Sequence, residues 1–261
     1  MSFVSVARDG RIAQVTFSRG DGRNALSAAL MTELTETART LSRDTTTSAI
    51  ILTGDGAFSA GADLKDPAMA ARAGAPLIER REMLKAGPDL CDAWESLEQT
   101  TICAIEGFCI GGALSLAVAC DFRIIGAGAH VRLPEVPIGM NMSWRTLPRL
   151  VTLIGPARAK KLTLFGEKVE AEEAERWGLV DLVTNDGDAL KAARGWADKI
   201  AALPPVPVRM AKAGINGAAT ALHRATSFMD LDQFALAATT NDHAEAIRAF
   251  LEKRAPTFKG D

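Results

Sequence analysis

The spacing of hydrophobic positions changes along the chain near residue 155. Before it, residues 3–7 and 12–17 alternate apolar and polar side chains around Asp9-Gly10, which predicts a β-hairpin. Continuous apolar runs at 48–54 and 101–107 predict buried strands. After it, alanine-rich helical segments dominate, apart from a short apolar run at 179–183. The pattern therefore predicts an α/β core followed by a mostly helical region.

Two helices can also be placed from the pattern. Apolar residues recur at helical spacing over 28–41, and Ser27 supplies an N-cap hydroxyl. Residues 77–99 form an amphipathic, charged pattern that Gly87-Pro88 interrupts. Further strands are predicted at 122–126 and 130–135.

Composition and charge exclude several classes of protein. The chain has 261 residues, 48% of them hydrophobic, and a formal net charge of −2. This length allows a sizeable core, and the balanced charge argues against nucleic-acid or anionic-membrane partners. No apolar run reaches the length of a transmembrane helix, and no export signal is expected, so a cytoplasmic location is predicted.

No metal site is expected from the sequence. The histidines His130, His223 and His243 are far apart, and the four cysteines show no metal-ligand spacing. Reduced, buried thiols are the ordinary interpretation of such cysteines in a cytosolic protein.

The glycine-rich loop GDGAFSAGAD at 54–63 follows a predicted strand but does not fit a nucleotide-binding motif. Ser59 stands where the dinucleotide motif needs its third glycine, and the chain has no Walker sequence. Small residues in the loop nevertheless leave backbone N–H groups approachable at Gly61, Ala62 and Asp63.

A second glycine pair, Gly111-Gly112, directly precedes a very apolar helix. The first N–H groups of a helix have no partner within the helix and favour an anion or a developing oxyanion. If the N–H of Ala62 or Gly61 pointed at the same spot, the pair would form an oxyanion hole. Tight packing between helices is the alternative explanation of the two glycines.

Two polar side chains near these motifs are candidate catalytic groups. Glu135 lies among Leu, Val, Ile and Pro in LPEVPIG, a setting that raises the pKa of a carboxylate and suits a general acid or base, although it could also be an ordinary turn carboxylate. Ser115 lacks the G-x-S-x-G elbow of a serine nucleophile. A hydroxyl bonded back to a helix carbonyl is the simpler interpretation, with a hydrolase using His130 as base left open.

Taken together, these stretches resemble the enoyl-CoA hydratase/isomerase (crotonase) superfamily. The resemblance is carried by motifs whose order and spacing span nearly the whole chain: RNALS (23–27), SAIILTGDGAFSAGADL (48–64), AIEGFCIGGALSLAVACDFRI (104–124), LPEVPIG (133–139), LPRLVTLIG (147–155), AEEAERWGLVD (171–181) and AFLEKRAPTFKG (249–260). It implies an α/β crotonase-like spiral of repeated ββα units over 1–195. A helical C-terminal trimerisation region would follow at 196–261, giving a homotrimer or homohexamer.

The resemblance also implies the substrate and the site. The substrate would be an acyl-CoA thioester, with no cofactor because coenzyme A is part of the substrate. Ala62 and Gly112 would donate their N–H groups to a thioester enolate. The implied substrate and CoA contacts are Arg23, Ala25, Leu26, Ala60, Asp63, Leu64, Phe250 and Lys253. Trp144 stands beside the expected acyl channel, where it is either a substrate contact or a core or interface aromatic.

The chain departs from the hydratase pattern at one catalytic position. Typical hydratases of the family carry two glutamates; Glu135 matches the second, whereas Ser115 stands at the position of the first. A single glutamate suits 1,3-proton transfer, as in enoyl-CoA isomerases, although single-glutamate hydratases and lyases also exist. The expected enzyme therefore moves a proton through Glu135, with or without water addition, and Ser115 assists. The alternatives are a hydratase-lyase for aromatic or branched acyl-CoA, which the absence of tyrosine disfavours, and a catalytically weak acyl-CoA-binding homologue.

Overall fold

Two sheets organise the chain in the computed structural model, which describes residues 2–261 except for the side chains at 69, 70, 73, 250 and 251. The larger sheet has strand order β1-β2-β3-β4-β6-β9 and the smaller has order β5-β7-β8. The strands are β1 (Val4–Asp9), β2 (Ile12–Phe17), β3 (Ala49–Gly54), β4 (Thr100–Ile105), β5 (Phe108–Ile110), β6 (Phe122–Gly126), β7 (His130–Arg132), β8 (Val169–Glu170) and β9 (Leu182–Thr184).

The predicted N-terminal hairpin is confirmed. Strands β1 and β2 pair antiparallel with Asp9 opposite Ile12, and Gly10 adopts a φ of 55° in the connecting turn. A positive φ is accessible to glycine without steric cost, which explains the Asp-Gly sequence. From β2 onward every pairing in the larger sheet is parallel. Strands β3 and β4 are buried on both faces, as their continuous apolar sequence predicts.

Twelve α-helices connect and cover these strands in the described part of the chain. They are α1 (Ala28–Ser42), α2 (Pro67–Gly74), α3 (Leu77–Leu84), α4 (Ala86–Glu95), α5 (Gly112–Ala117), α6 (Thr146–Lys160), α7 (Ala171–Trp177), α8 (Ala189–Ala201), α9 (Pro205–Ala219), α10 (His223–Ser227), α11 (Asp230–Ala237) and α12 (Asn241–Glu252). A single π-helical turn at Lys161–Phe165 follows α6.

Local sequence explains where two of these helices begin. Ser27 caps α1 by accepting a hydrogen bond from the N–H of Leu30, as predicted. The interruption between α3 and α4 falls at Lys85, not at Gly87-Pro88 as the sequence suggested. Pro88 lies in the first turn of α4, where its missing N–H would have no helical partner in any case.

The chain winds as a spiral of ββα units. Two successive units, β4-β5-α5 and β6-β7-α6, each place their first strand in the larger sheet and their second in the smaller. The predicted α/β spiral is therefore confirmed. Its winding brings the loop after β3 against β5, where Ser59 pairs with Cys109.

The C-terminal quarter is helical, as the sequence predicts. Residue 195, where the predicted core ends, lies inside α8, and α8 packs on β3 and β4. The division into two parts at this residue stays a prediction. No helix of residues 2–261, as far as the structure describes them, is long and apolar enough to span a membrane.

Candidate active site

A cavity of about 450 Å³ opens where the loop after β3, the start of α5 and the segment after β7 meet. Its size is that of an ordinary small-molecule site. Gly61, Ala62, Gly112, Ser115 and Glu135 all line it, so the fold brings together the five residues that the sequence singled out as candidate chemistry. They come from three segments that are distant in sequence and meet only through the spiral.

Gly61 allows the loop after β3 to approach the start of α5. It has a φ of 84°, and a methyl group placed on it would lie 2.3 Å from the carbonyl oxygen of Ile110 and 3.4 Å from the nitrogen of Gly112. The absence of a side chain on Gly61 permits this close approach. The approach brings the amides of Ala62 and Gly112 near each other at the cavity wall. Among the hydrogen bonds of the described residues, neither of these two N–H groups has a protein acceptor.

Glu135 reaches the same end of the cavity across Gly111. Gly111 has φ 57° and ψ −125°, and a methyl group on it would lie 2.7 Å from Oε1 of Glu135. Oε2 of Glu135 is buried and has no hydrogen-bond partner in the described structure. Burial raises the pKa of Glu135 to about 7, although its own backbone N–H and the charge of Arg132 partly oppose the rise. The carboxyl can therefore both release and accept a proton near neutral pH.

The raised pKa of Glu135 has a consequence for stability. Between pH 4.5 and 7 the unfolded chain releases this proton while the folded chain keeps it, so stability falls as pH rises and the cost is complete above pH 7. The full cost is about 3 kcal/mol. We therefore expect Glu135→Gln to raise the melting temperature at pH 8 and to leave it unchanged at pH 4. Thermal unfolding at both pH values measures this, and equal shifts at the two would contradict it.

Ser115 belongs to a chain of hydroxyl groups at the cavity wall. Its side chain is only 2% exposed, and its Oγ lies 2.7 Å from Oγ1 of Thr146. Thr146 donates its own hydroxyl proton to the carbonyl of Ser143, at 2.6 Å. A hydroxyl has one proton, so Ser115 must donate to Thr146, and the lone pairs of Ser115 are left as acceptors. The carbonyl of Gly111, 3.5 Å away, is at the limit of hydrogen-bond distance.

The indole ring of Trp144 packs against Gly112 and Gly87. Methyl groups placed on Gly112 and Gly87 would lie 2.6 Å and 1.9 Å, respectively, from atoms of its indole ring. Trp144 and Arg145 both have positive φ, at 60° and 54°. This unfavourable backbone is held by Arg149, which donates to the carbonyl of Trp144 at 2.8 Å and pairs with Glu95. The indole is thus fixed between two glycines while it lines the cavity.

The close fit of Trp144 on Gly87 gives a stability prediction. Gly87→Ala should cost about 1–3 kcal/mol, because the added methyl overlaps the indole ring. Combining it with Trp144→Leu should recover part of the loss. The matched control is Gly195→Ala in α8, where the methyl meets open space and should stabilise the helix by up to about 1 kcal/mol. Chemical denaturation of these three variants and of Trp144→Leu alone measures these effects, and a neutral Gly87→Ala would contradict the packing described.

The predicted CoA contacts divide into two groups. Leu26, Ala60, Asp63, Leu64 and Trp144 line the cavity. The remaining ones do not: Arg23 and Ala25 lie beside it, in the loop before α1, and Lys253 is exposed at the end of α12. The backbone carbonyl of Arg23 accepts from the N–H of Ala60, which keeps that loop against the cavity edge. The side chain of Phe250 lies outside the described residues.

Several residues at the site were not predicted from the sequence. Thr146 is adjacent to Ser115 only because α6 begins beside α5. Arg72 and Phe234 also line the cavity, on α2 and α11. None of the three has a local sequence signal, since each meets the site through a contact between distant elements. No group of three or more potential metal ligands occurs among the described residues.

Comparison with known proteins gives a consistent result. The family model described as Enoyl-CoA hydratase/isomerase matches residues 7–261. The 2,3-dehydroadipyl-CoA hydratase of Escherichia coli K12 is 33% identical over 261 residues, covering 100% of both chains. The crotonyl-CoA hydratase of Syntrophomonas wolfei is 32% identical, covering 98% of this chain and 97% of that protein.

Solved structures similar to this chain come from the same group of proteins. The enoyl-CoA hydratase/isomerase of Pseudoalteromonas atlantica superposes with a TM-score of 0.88 at 27% identity, covering 99% of this chain and 100% of that chain. The enoyl-CoA hydratase of Bacillus anthracis gives a TM-score of 0.78 at 35% identity, with 100% of each chain covered. The chain therefore belongs to the enoyl-CoA hydratase/isomerase family and has the crotonase fold. It is an acyl-CoA enzyme of this family.

Proposed function

We propose that this enzyme transfers a proton at the α-carbon of an acyl-CoA thioester, with Glu135 as its only acid/base group. The strongest support comes from the Glu135 carboxyl, whose Oε2 is buried and has no hydrogen-bond partner in the described structure. Glu135 lines the cavity together with Ala62 and Gly112, whose N–H groups have no protein acceptor there. Its pKa of about 7 keeps both protonation states populated near neutral pH. A structural carboxylate would instead be paired or solvated.

In this proposal the amides of Ala62 and Gly112 stabilise the enolate. Negative charge develops on the thioester oxygen when a nucleophile adds at the β-carbon or when a proton leaves the α-carbon. Two fixed N–H donors meet that charge without reorganising. Their lack of a protein acceptor in the described structure supports this assignment, because a ligand oxygen would satisfy both.

Reversible hydration is the outcome that the hydroxyl chain favours. Ser115 offers lone pairs to the cavity and can accept a hydrogen bond from a water molecule. The Glu135 carboxylate removes a proton from that water as its oxygen bonds to the β-carbon. The same proton then passes from Glu135 to the α-carbon of the enolate. The net change is addition of H and OH across the double bond, with Glu135 returned to its carboxylate form.

Double-bond isomerisation is the second candidate. It needs one base that removes a proton from the α-carbon and returns it at the γ-carbon, and the site offers one such carboxyl. Both reactions pass through the enolate and use Glu135 as the proton carrier. They differ in where Glu135 takes and returns the proton, and in whether a water molecule is held near Ser115.

The serine-hydrolase alternative has no support in the geometry. The hydrogen-bond partners of Ser115 Oγ in the described structure are Thr146 and the Gly111 carbonyl, so no histidine is placed as its base. His130 instead packs against Phe108, with ring centroids 6.4 Å apart. Cleavage of an aromatic or branched acyl-CoA and weak catalysis remain alternatives that product analysis distinguishes.

The test is product analysis on a panel of straight, branched, β,γ-unsaturated and aromatic acyl-CoA thioesters. Mass spectrometry in D₂O and in ¹⁸O-labelled water separates α-proton exchange, hydration, isomerisation and cleavage. The proposal expects α-exchange with at least one thioester, and ¹⁸O incorporation for the hydratase outcome. Binding of the whole panel without any exchange would refute it.

Removing the Ser115 hydroxyl should affect hydration more than proton exchange. We expect Ser115→Ala to lower the hydration rate about tenfold, the value of one hydrogen bond, while α-exchange through Glu135 continues. Thr146→Val should act in the same direction, and the double variant should lose no more than Ser115→Ala alone.

The control for these variants is Thr163→Val, since Thr163 is a buried threonine whose hydroxyl has no hydrogen-bond partner in the described structure. It should leave both rates unchanged. An equal fall of hydration and exchange in Ser115→Ala would contradict a water-holding role.

The oligomeric state is part of the proposal. Large apolar side chains are exposed on the C-terminal helices and on the π-helical turn: Phe165, Val206, Met210, Ile215, Leu222, Phe228 and Leu236. Phe228 alone is 76% exposed. Exposed apolar side chains in this number support association with further copies of the chain, which we propose to be a trimer or hexamer. The cytoplasmic location remains a prediction.

A further inference from the structure

The cavity contains one guanidinium group without a counter-charge among the described residues. Arg72, on α2, lines the cavity, and its Cζ lies 5.7 Å from the centroid of the Phe234 ring. Burial and the neighbouring Arg80 both lower the pKa of Arg72, and no carboxylate contributes to its electrostatics. Arginine stays protonated in proteins, so the cavity carries this positive charge permanently.

Three carboxylates of the cavity wall have partners elsewhere, and the other two, Asp89 and Glu135, form no ion pair with Arg72 in the described structure. Asp63 pairs with Arg19, and Glu82 pairs with Lys85. Asp66 accepts from the N–H groups of Ala28 and Ala68, at 2.7 Å and 2.9 Å. Arg72 is partly buried, and a partly buried charge gains from pairing, so a ligand that brings an anion would supply the counter-charge that the protein does not.

The Arg72–Phe234 pair lies near the segment that follows Glu135. Phe234 is on α11, and its neighbour Gln233 accepts a hydrogen bond from Nδ2 of Asn141 at 3.3 Å. Asn141 lines the cavity six residues after Glu135. Glu135 acts on the acyl portion of the thioester, and the segment that follows it contacts the helix of Phe234 through Asn141, which favours assigning an anion at Arg72 to the acyl portion.

We propose that Arg72 and Phe234 form a subsite for a carboxylate at the far end of the acyl chain, which makes the preferred substrate the thioester of a dicarboxylic acid. This rests on the proposed thioester chemistry of the cavity. A guanidinium binds a carboxylate with two parallel hydrogen bonds, and the Phe234 ring holds the guanidinium plane in place. The apolar side chains of Ile138, Met140 and Met142, which also line the cavity, suit the methylene groups of the chain.

The test compares the binding of saturated thioesters, which cannot be hydrated. Pentanoyl-, hexanoyl- and octanoyl-CoA are each paired with the dicarboxylic thioester of equal length, glutaryl-, adipoyl- and suberoyl-CoA. Calorimetry on the full-length protein gives the ratio of the two dissociation constants for each pair. We expect at least one dicarboxylic thioester to bind about ten- to a hundredfold more tightly, which is the value of one charge-assisted hydrogen-bonded pair.

Variants identify the residue responsible. Arg72→Met keeps most of the side-chain volume and should reduce the ratio to about one, while Arg72→Lys should retain part of it. Arg39→Met, on the exposed face of α1, is the matched control and should keep the wild-type ratio. A ratio near one in the wild type overturns the proposal. So does an Arg72→Met variant that weakens both members of each pair equally, since the guanidinium would then serve the CoA portion or the fold.

The two proposals fail in different experiments. The proposed function is refuted if wild-type protein catalyses no α-proton exchange with any thioester. The subsite is refuted by the binding ratios, which need no turnover.

Discussion

Glu135→Gln is expected to lower kcat by about 10²–10⁴-fold while the dissociation constant of the thioester changes little. Glutamine keeps the shape of the side chain but cannot take up or release the proton. The buried Oε2 of Glu135 makes no protein hydrogen bond in the described structure, so the substitution removes no structural contact of that atom. Steady-state kinetics and calorimetric titration with the same thioester measure the two quantities.

The pH profile links this loss to the titration of Glu135. The carboxylate must be the base in the hydration direction, so kcat/KM should rise about tenfold per pH unit below pH 7 and level off above it. The residual activity of Glu135→Gln should lack this step. Glu170→Gln, at the exposed end of β8, is the control and should keep both the rate and the profile. A profile that persists in Glu135→Gln would assign the titration to another group.

Removing the amide hydrogen of Ala62 should cost about 10²–10³-fold in kcat, because one of two donors to the enolate oxygen is lost. An ordinary substitution leaves the backbone N–H in place. Replacing Ala62 by its α-hydroxy analogue converts the amide to an ester and removes only that hydrogen. The change also weakens the Gly61 carbonyl, which accepts from Leu26 at 2.7 Å, so some loss of stability is expected as well.

The control is the same backbone change at Phe58, in the same loop. Its N–H donates to the carbonyl of Glu106 at 2.9 Å, and the preceding carbonyl of Ala57 accepts from Asn24 at 2.8 Å. The Phe58 ester should therefore destabilise the fold at least as much as the Ala62 ester. Its effect on kcat should be far smaller. Equal losses of kcat in the two esters would show that the Ala62 amide has no special role.

Local sequence was sufficient for much of the fold. Asp9-Gly10 predicts the hairpin because only a residue tolerant of positive φ fits the turn. Continuous apolar runs predict β3 and β4 because both faces of a central parallel strand are covered. Ser27 predicts the start of α1 because its hydroxyl satisfies an amide that the helix leaves open. Each of these features depends on residues within a few positions of one another.

The site could be predicted only in part for the same reason. Local sequence raised Ala62, Gly112 and Glu135 as candidates, the family motifs assigned their roles, and the structure brings them into one cavity. Thr146 and Arg72 were missed because their contacts join elements distant in sequence, α5 with α6 and α2 with α11. The availability of Ser115 as a hydrogen-bond acceptor follows from its contact with Thr146 and from the contact of Thr146 with the Ser143 carbonyl. These contacts join separate segments, so the sequence alone does not reveal them.

The most direct test of the account is α-proton exchange in D₂O on a saturated acyl-CoA, followed by mass spectrometry. A saturated thioester can form the enolate but offers no double bond for water to add to, so exchange reports the Glu135 step alone. The account predicts deuterium at the α-carbon with the wild-type protein and none above background with Glu135→Gln at equal occupancy. Undiminished exchange in Glu135→Gln would contradict it.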